Sequence, residues 1–207
     1  MIEVEVTQGT EAWMDERRGR FTATRFKGLM SKKTTASYND TIMDVVSEII
    51  TEETEEGFVS ADMERGKDME PYARACFEDL YDVSVREVGF VLPEDEELAK
   101  WAGISPDGVL PDGGLIEIKC PRLKTHLKYL QENRLPAEYK HQVQGQLLIS
   151  DAPYCIFMSY HPKMKPFIVR VKPDKIFQKE MLAAIQDGIK TVKEKIEFYK
   201  TYSADEV

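Results

Sequence analysis

The chain is poor in cysteine. Cys76, Cys120 and Cys155 are the only three in 207 residues, an odd number with no C-x-x-C spacing. That argues against a disulfide framework, a zinc ribbon and a redox dithiol, and against a four-cysteine iron–sulfur set. Histidine is equally scarce: His126, His141 and His161 form no H-x-x-x-H pair and no His/Cys cluster, so they read as packing or turn residues. No uninterrupted apolar run is longer than five residues, so no segment reads as a membrane span. Met1 to Val6 has neither a basic start nor an apolar stretch, so no secretory signal is expected. Repeats and low-complexity tracts are missing too. These absences predict a cytoplasmic protein with no membrane partner.

What is present suits one globular domain over residues 1–207, with 42% hydrophobic and 31% charged residues. The formal net charge of -9 is unevenly spread. Residues 1–119 carry 13 basic and 27 acidic side chains, whereas residues 120–207 carry 15 and 10. Residues 17–39 hold seven basic side chains and no acidic one: Arg17, Arg18, Arg20, Arg25, Lys27, Lys32 and Lys33. Such a block is either a phosphate-binding surface or a solvated helix face.

Periodicity predicts helices first. Residues 2–6 alternate as a short edge strand. Thr10 and Thr22 are placed as caps of two short helices, the second with Phe26, Leu29 and Met30 on one face. Asn39 or Asp40 starts a helix with Ile42, Val45, Val46, Ile49 and Ile50 inward. An acidic loop follows over 52–58. The next helix spans 68–81, with Met69, Tyr72, Ala73, Cys76, Phe77 and Leu80 inward, and Pro71 is expected in its first turn. Strands are predicted at 83–92, 101–104, 108–110, 115–118, 154–161 and 167–171, with Pro111-Asp112-Gly113-Gly114 as a hairpin turn. Helices at 125–132 and 137–149 interrupt them. Asp174 caps a terminal helix with a stripe of Ile176, Met181, Leu182, Ile185, Ile189, Val192, Ile196 and Tyr199. The order fits a mixed sheet with helices on both faces, an α/β fold.

One segment carries chemistry. On a strand, Glu117 and Lys119 project from one face while Ile116 and Ile118 anchor the other. Asp107 ends the neighbouring strand and is returned by the hairpin, so two carboxylates and a lysine converge. Pro-Asp occurs three times and Glu-x-Lys twice, but only here do they flank a hairpin. Mg²⁺ takes oxygen ligands and one or two carboxylates, so Asp107, Glu117 and the Ile118 carbonyl suit metal-assisted phosphoester hydrolysis. Lys119 is expected to orient or deprotonate the attacking water or to stabilise the phosphorus, with a pKa lowered by desolvation. The plain alternative is a surface hairpin with an ion pair.

Pro106-Asp107, Glu117 and Lys119 resemble the PD-(D/E)xK signature of restriction-endonuclease-like nucleases. Longer blocks resemble the lambda-exonuclease-like viral recombinases, the YqaJ family, over about residues 11–171. These blocks are Trp13 through Arg17-Arg18-Gly19 to Thr22-Ala23-Thr24, and Arg65-Gly66-Lys67 to Glu70 with Ala73-Arg74. They continue in Ser105-Pro106-Asp107-Gly108, in Leu115 through Pro121, in Tyr139 with Gln142-Val143-Gln144, and in Tyr160 through Lys165. The resemblance implies a restriction-endonuclease-like core and a Mg²⁺-dependent 5′→3′ exonuclease. Such an enzyme digests one strand of linear double-stranded DNA to 5′-mononucleotides and leaves a 3′ single-stranded tail for recombination by annealing. It implies Asp107, Glu117 and the Ile118 carbonyl as metal ligands, with Glu70 as an additional acid and Lys119 acting on water. It also implies that Mn²⁺ can substitute for Mg²⁺, with one or two ions per site. The 5′-phosphate falls to Arg17, Thr24, Ser105 and Gln142. The adjacent Arg18 is an alternative to Arg17, and Gln144 is an alternative to Gln142: two apart on a helix, the two glutamines point about 200° apart and cannot both face the site. A homotrimeric ring, a single-strand annealing partner, and a bacterial or phage origin in the host cytoplasm are also implied. The alternatives are another nuclease of this superfamily, cutting internally or acting on single strands, and a catalytically silent DNA-end-binding module.

Overall fold

In a computed structural model of the chain, residues 1–54 and 60–202 are described. The elements run β1 (Ile2–Val4), α1 (Glu11–Arg17), β2 (Phe21–Thr22), α2 (Phe26–Leu29), α3 (Ala36–Thr51) and α4 (Ala61–Tyr81). Then come β3 (Phe90–Leu92), α5 (Glu96–Ala99), β4 (Ala102–Gly103), β5 (Gly108–Val109), β6 (Leu115–Lys119) and α6 (Leu123–Glu132). A 3-10 turn over Ala137–Tyr139 leads into α7 (Lys140–Ser150), followed by β7 (Cys155–Ser159), β8 (Phe167–Val171) and α8 (Lys175–Thr201).

The central sheet has the order β5-β6-β7-β8. Its middle pair, β6 and β7, is parallel and the outer pairings are antiparallel, so the sheet is mixed as expected. Alternation along β6 divides the interior in two. Leu115 faces a cluster with Val143 and Leu147 of α7, Tyr129 of α6 and Phe157 of β7. Ile116 and Ile118 face the other way, onto Ala73 and Phe77 of α4 with Ile156 and Met158 of β7. Burying each such large apolar side chain stabilises the fold by about 1.5–3 kcal/mol. Two small pairings extend the scaffold: β1 with β3, antiparallel, and β2 with β4, parallel, with Thr22 opposite Gly103.

Several local expectations change. Thr10 does cap α1 and Asp174 does cap α8, each accepting an amide three residues on. Thr22, however, caps nothing: it is buried in β2, and α2 starts after Arg25. The third helix begins at Ala36 because Thr35, not Asn39 or Asp40, accepts the Tyr38 amide. Helix α4 starts seven residues earlier than expected, behind the Ser60 cap, and carries Pro71 in its interior. The missing N–H of an interior proline costs about 3 kcal/mol; packing of Ala73 and Phe77 against the sheet offsets that cost. Tyr72 and Leu80 are exposed, so the buried stripe of α4 is narrower than its composition suggests. Of the strand expected over 83–92, only 90–92 is a strand, preceded by one bridge from Arg86 to Val109. On α8, Ile176 and Tyr199 are exposed rather than part of the apolar stripe. In the expected acidic loop, residues 55–58 lie outside the described residues.

Candidate active site

The hairpin after β5 does what its sequence requires. Gly113 adopts a left-handed φ of 82° that a side chain would disfavour. Leu110 and Gly114 close the turn by a backbone hydrogen bond of 2.7 Å. The chain therefore returns antiparallel, and Asp107 meets β6: its Oδ2 accepts the Ile118 amide at 2.6 Å. Glu117 and Lys119 share the opposite face from Ile116 and Ile118, and Lys119 Nζ is paired with Glu117 Oε1. Lys119 also lies 5.6 Å from the centre of the Tyr139 ring.

Glu117 is 1% exposed, yet its carboxylate is fully partnered. Gln142 donates to Oε1 at 2.5 Å and Gln146 to Oε2 at 2.6 Å. Both glutamines come from α7, which sits close to α2 because Gly145 leaves room for Phe26; a Cβ there would meet that ring at 2.1 Å. Gln144 turns away, bonding the Lys172 carbonyl at 2.9 Å and the Asp174 amide at 2.8 Å. Of the two glutamines named from sequence, only Gln142 reaches the acidic cluster. Gln146 was not expected; its i, i+4 spacing from Gln142 was the available signal.

The electrostatics explain what this cluster needs. Burial raises the Asp107 pKa well above the usual carboxyl range, and the Glu117 charge raises it further, against the pull of Lys119. Glu70 is raised chiefly by burial and by Glu117, opposed by Arg74 and Lys119. Arg74 binds Glu70 at 2.8 Å and also pairs with Glu87. For Lys119, burial alone would lower the pKa, but Glu117 and Asp107 outweigh it and the pKa is raised. The sequence-based expectation of a lowered lysine pKa is thus reversed, because the partners lie closer than desolvation can offset.

Crowded, desolvated carboxylates repelling one another suit a divalent cation, and oxygen donors suit Mg²⁺. Among the described residues no set of three or more His, Cys, Asp or Glu is arranged as a ready-made cage. Asp107, Glu117 and the Ile118 carbonyl are oxygen donors, and an ion on them would leave part of its coordination to water and substrate oxygens.

A second polar corner adjoins the first through Ser105-Pro106-Asp107. Ser105 Oγ accepts the Trp13 indole N–H at 2.9 Å and an Arg17 N–H at 3.3 Å. The Arg17 guanidinium lies over the Trp13 ring, 4.2 Å from its centre. Arg17 has no carboxylate partner among the described residues, and burial with the nearby Arg25 charge lowers its pKa to about 10. A half-buried guanidinium with no carboxylate bonded to it has the chemistry to take an anion. Arg18 instead pairs with Asp15 at 2.5 Å. Thr24 is exposed, two residues past the end of β2, and its hydroxyl meets that of Thr22 at 3.4 Å. The Arg17-Arg18-Gly19 bend is held by Glu48, which accepts the Gly19 amide at 2.9 Å and pairs with Arg25. Gly19 itself needs a φ of 69°.

The basic block of residues 17–39 is accordingly much less positive than its composition. Arg18, Arg20, Arg25 and Lys33 each pair with a carboxylate. His126 is a buried packing residue, bonded to Ser159 at 2.8 Å and to the Lys165 carbonyl at 3.0 Å, which ties down the 161–165 turn. Among the described residues no helix is long and apolar enough to cross a membrane.

Residues 12–153 match the family model of the YqaJ-like viral recombinase domain. Among solved structures, the chain is similar to an alkaline exonuclease, LHK-Exo, from Laribacter hongkongensis. The TM-score is 0.84 at 30% sequence identity, covering 92% of this chain and 96% of that one. The structure of LHK-Exo in complex with dAMP gives the same TM-score at 29% identity, with the same coverage. A phage-related exonuclease from Haemophilus somnus 129PT shares the fold, with a TM-score of 0.68 at 11% identity over 89% of this chain and 98% of that one. The mixed sheet with helices on both faces is thus the restriction-endonuclease-like core expected from sequence. No curated protein matches in sequence.

Proposed function

The chain belongs to the YqaJ-like viral recombinase domain family, and from that premise we propose that it is a Mg²⁺-dependent exonuclease of double-stranded DNA ends, working 5′→3′. The observation that carries this reading is the adjacency of two unlike polar corners. An acidic cluster of Asp107, Glu117 and Glu70 stands two residues along the chain from Ser105, which holds the carboxylate-free Arg17. A terminal 5′-phosphate on Arg17 and Ser105, with Gln142 and Thr24 completing the pocket, brings the next phosphodiester to the acidic cluster.

The chemistry a bound divalent cation supplies there is a water of lowered pKa and a counter-charge for the phosphoryl oxygens. Asp107, Glu117 and the Ile118 carbonyl would hold it, with Glu70 helping a second ion where two are used. Lys119 Nζ, kept charged by its two carboxylates, orients the attacking water and stabilises negative charge at phosphorus. Arg17 fixes the end by charge-assisted hydrogen bonds to the phosphate oxygens. The reading extends to one nuclease domain over 1–207, Mn²⁺ as a substitute, 5′-mononucleotide products and a 3′ tail passed to an annealing protein. It further includes a homotrimeric ring and a cytoplasmic location, with the uneven charge of the two chain halves as support for a basic inner surface.

The test is digestion of linear duplex DNA bearing a 5′-phosphate or a 5′-hydroxyl, with Mg²⁺ or with chelator. Nucleotide release should need Mg²⁺, favour the phosphorylated end, and fall by about 10²–10⁴-fold in Lys119→Ala. Cutting of closed circles would indicate an endonuclease. Retained end binding without hydrolysis would indicate a silent binding module. Light scattering that gives a stable monomer under active conditions would count against the ring.

A further inference from the structure

Two glutamines, one turn apart on α7, divide the two oxygens of Glu117 between them. Gln142 is half-buried, and the oxygen it bonds, Oε1, is also the one that Lys119 meets. Gln146 is 0% exposed and takes Oε2 alone. The two oxygens are therefore not equivalent. Oε1 lies on the side of Lys119 and the half-buried Gln142, and Oε2 meets the fully buried Gln146.

Gln146 is itself well held. Its own carbonyl accepts the Ser150 hydroxyl at 2.7 Å. Its neighbour Gly145 lets α7 pack closely on Phe26 of α2. The Gln146 amide oxygen faces the Cys155 thiol at 3.9 Å, a weak contact, so the strong bond of the side chain is the one to Glu117. A neutral donor also suits this place, because a further cation or carboxylate there would be buried without solvent.

We infer that Gln146 is a positioning residue: by holding Glu117 Oε2 from the buried side it fixes the orientation of the carboxylate, so that the edge shared by Gln142 and Lys119 is the one turned to a divalent cation. This rests on the reading of Asp107 and Glu117 as the metal pocket. Outer partners of metal-binding carboxylates orient them, and their loss costs about 10–100-fold in metal affinity. Gln144 provides an internal control. It is just as deeply buried and its amide is just as fully bonded, but to Lys172, Asp174 and Gln178 instead of Glu117.

The experiment is Mn²⁺ binding to the DNA-free protein, followed by electron paramagnetic resonance, with thermal melting of each variant alongside. Gln146→Met should weaken Mn²⁺ about 10–100-fold, and nuclease activity should recover as Mn²⁺ is raised. Gln144→Met should leave Mn²⁺ affinity within about twofold of the wild type, whatever it does to melting. Unchanged affinity in Gln146→Met, or an equal loss in both variants, overturns the inference. If Gln146→Met does not fold, Gln146→Asn, one methylene too short to reach Oε2, carries the same expectation and the same overturning result. Glu117→Gln separates the two layers: if it binds Mn²⁺ as tightly as the wild type, the metal reading itself fails.

Discussion

The two faces of strand β6 are built to opposite rules. Toward α4, Ile116 and Ile118 meet Ala73, Phe77, Ile156 and Met158 in an all-apolar layer. Toward α7, between Leu115 and the end of the strand, Glu117 and Lys119 sit in an otherwise well-packed interior with Gln142 and Gln146 above them. One face gains stability from removing carbon from water. The other holds the buried Glu117 carboxylate, beside Asp107, whose carboxyl burial and the Glu117 charge push toward protonation. Five residues thus carry both the anchor and the chemistry, and the polar face is tolerable only because the apolar face holds the strand in register.

The sharpest way to break this comparison is Asp107→Asn. Hydrolysis should fall on the order of 10³-fold, as when a preorganised charge-stabilising group is removed. The same change should raise the melting temperature. The sign follows from linkage: a carboxyl whose folded pKa lies above its unfolded value is ionised at a cost to the fold, so its contribution falls as pH rises through the folded pKa. Removing that charge relieves the cost, and the Asn oxygen can still accept the Ile118 amide. A lowered melting temperature would show that Asp107 is a structural residue.

On the opposite face, Ile116→Ala should destabilise by about 2–5 kcal/mol through the cavity it leaves, read by chemical denaturation. Turnover per folded molecule should stay near the wild-type value; a large loss would mean that the two faces are not separable. A smaller effect is expected at the adjoining corner. Arg17→Ala should reduce the preference for 5′-phosphorylated over 5′-hydroxyl ends by about tenfold or more, the value of a charged hydrogen bond, with hydrolysis of unphosphorylated ends little changed. The smallest is Ile176→Ala, which at 78% exposure should shift stability by no more than about 0.5 kcal/mol. A larger shift would restore Ile176 to the apolar stripe of α8.

Much of this was legible in the sequence where a short-range rule decides. Period two along 115–119 gave Glu117 and Lys119 a common face, and the Gly113-Gly114 turn returned Asp107 to them. Local amides decided the caps at Thr10 and Asp174. What was not legible depended on distant partners. Thr22 has the chemistry of a cap, but pairing with Gly103 makes it a strand residue. Pro71 reads as a helix start, yet packing against the sheet carries α4 through it. The Trp13 indole holds Ser105, 92 residues away, while its face carries Arg17, a contact that no local pattern announces. Gln146 could not be tied to Glu117 because the bond spans 29 residues between a helix and a strand. The basic run at 17–39 was the most misleading signal: Asp15 and Glu16 just before it pair with Arg18 and Arg20, but the partners of Arg25 and Lys33, Glu48 and Asp187, lie far along the chain.

The central claim is that the α7 face of β6, with Asp107, is an acidic cluster built to receive a divalent cation. The direct measurement is the melting temperature of wild type and Asp107→Asn with increasing Mg²⁺ at constant ionic strength. A ligand that binds the folded state alone stabilises it in proportion to the logarithm of its concentration above the dissociation constant. The account predicts that Mg²⁺ raises the wild-type melting temperature and leaves Asp107→Asn, already higher, nearly unmoved. Equal shifts in both proteins, or no shift in the wild type at concentrations that support digestion, would contradict it.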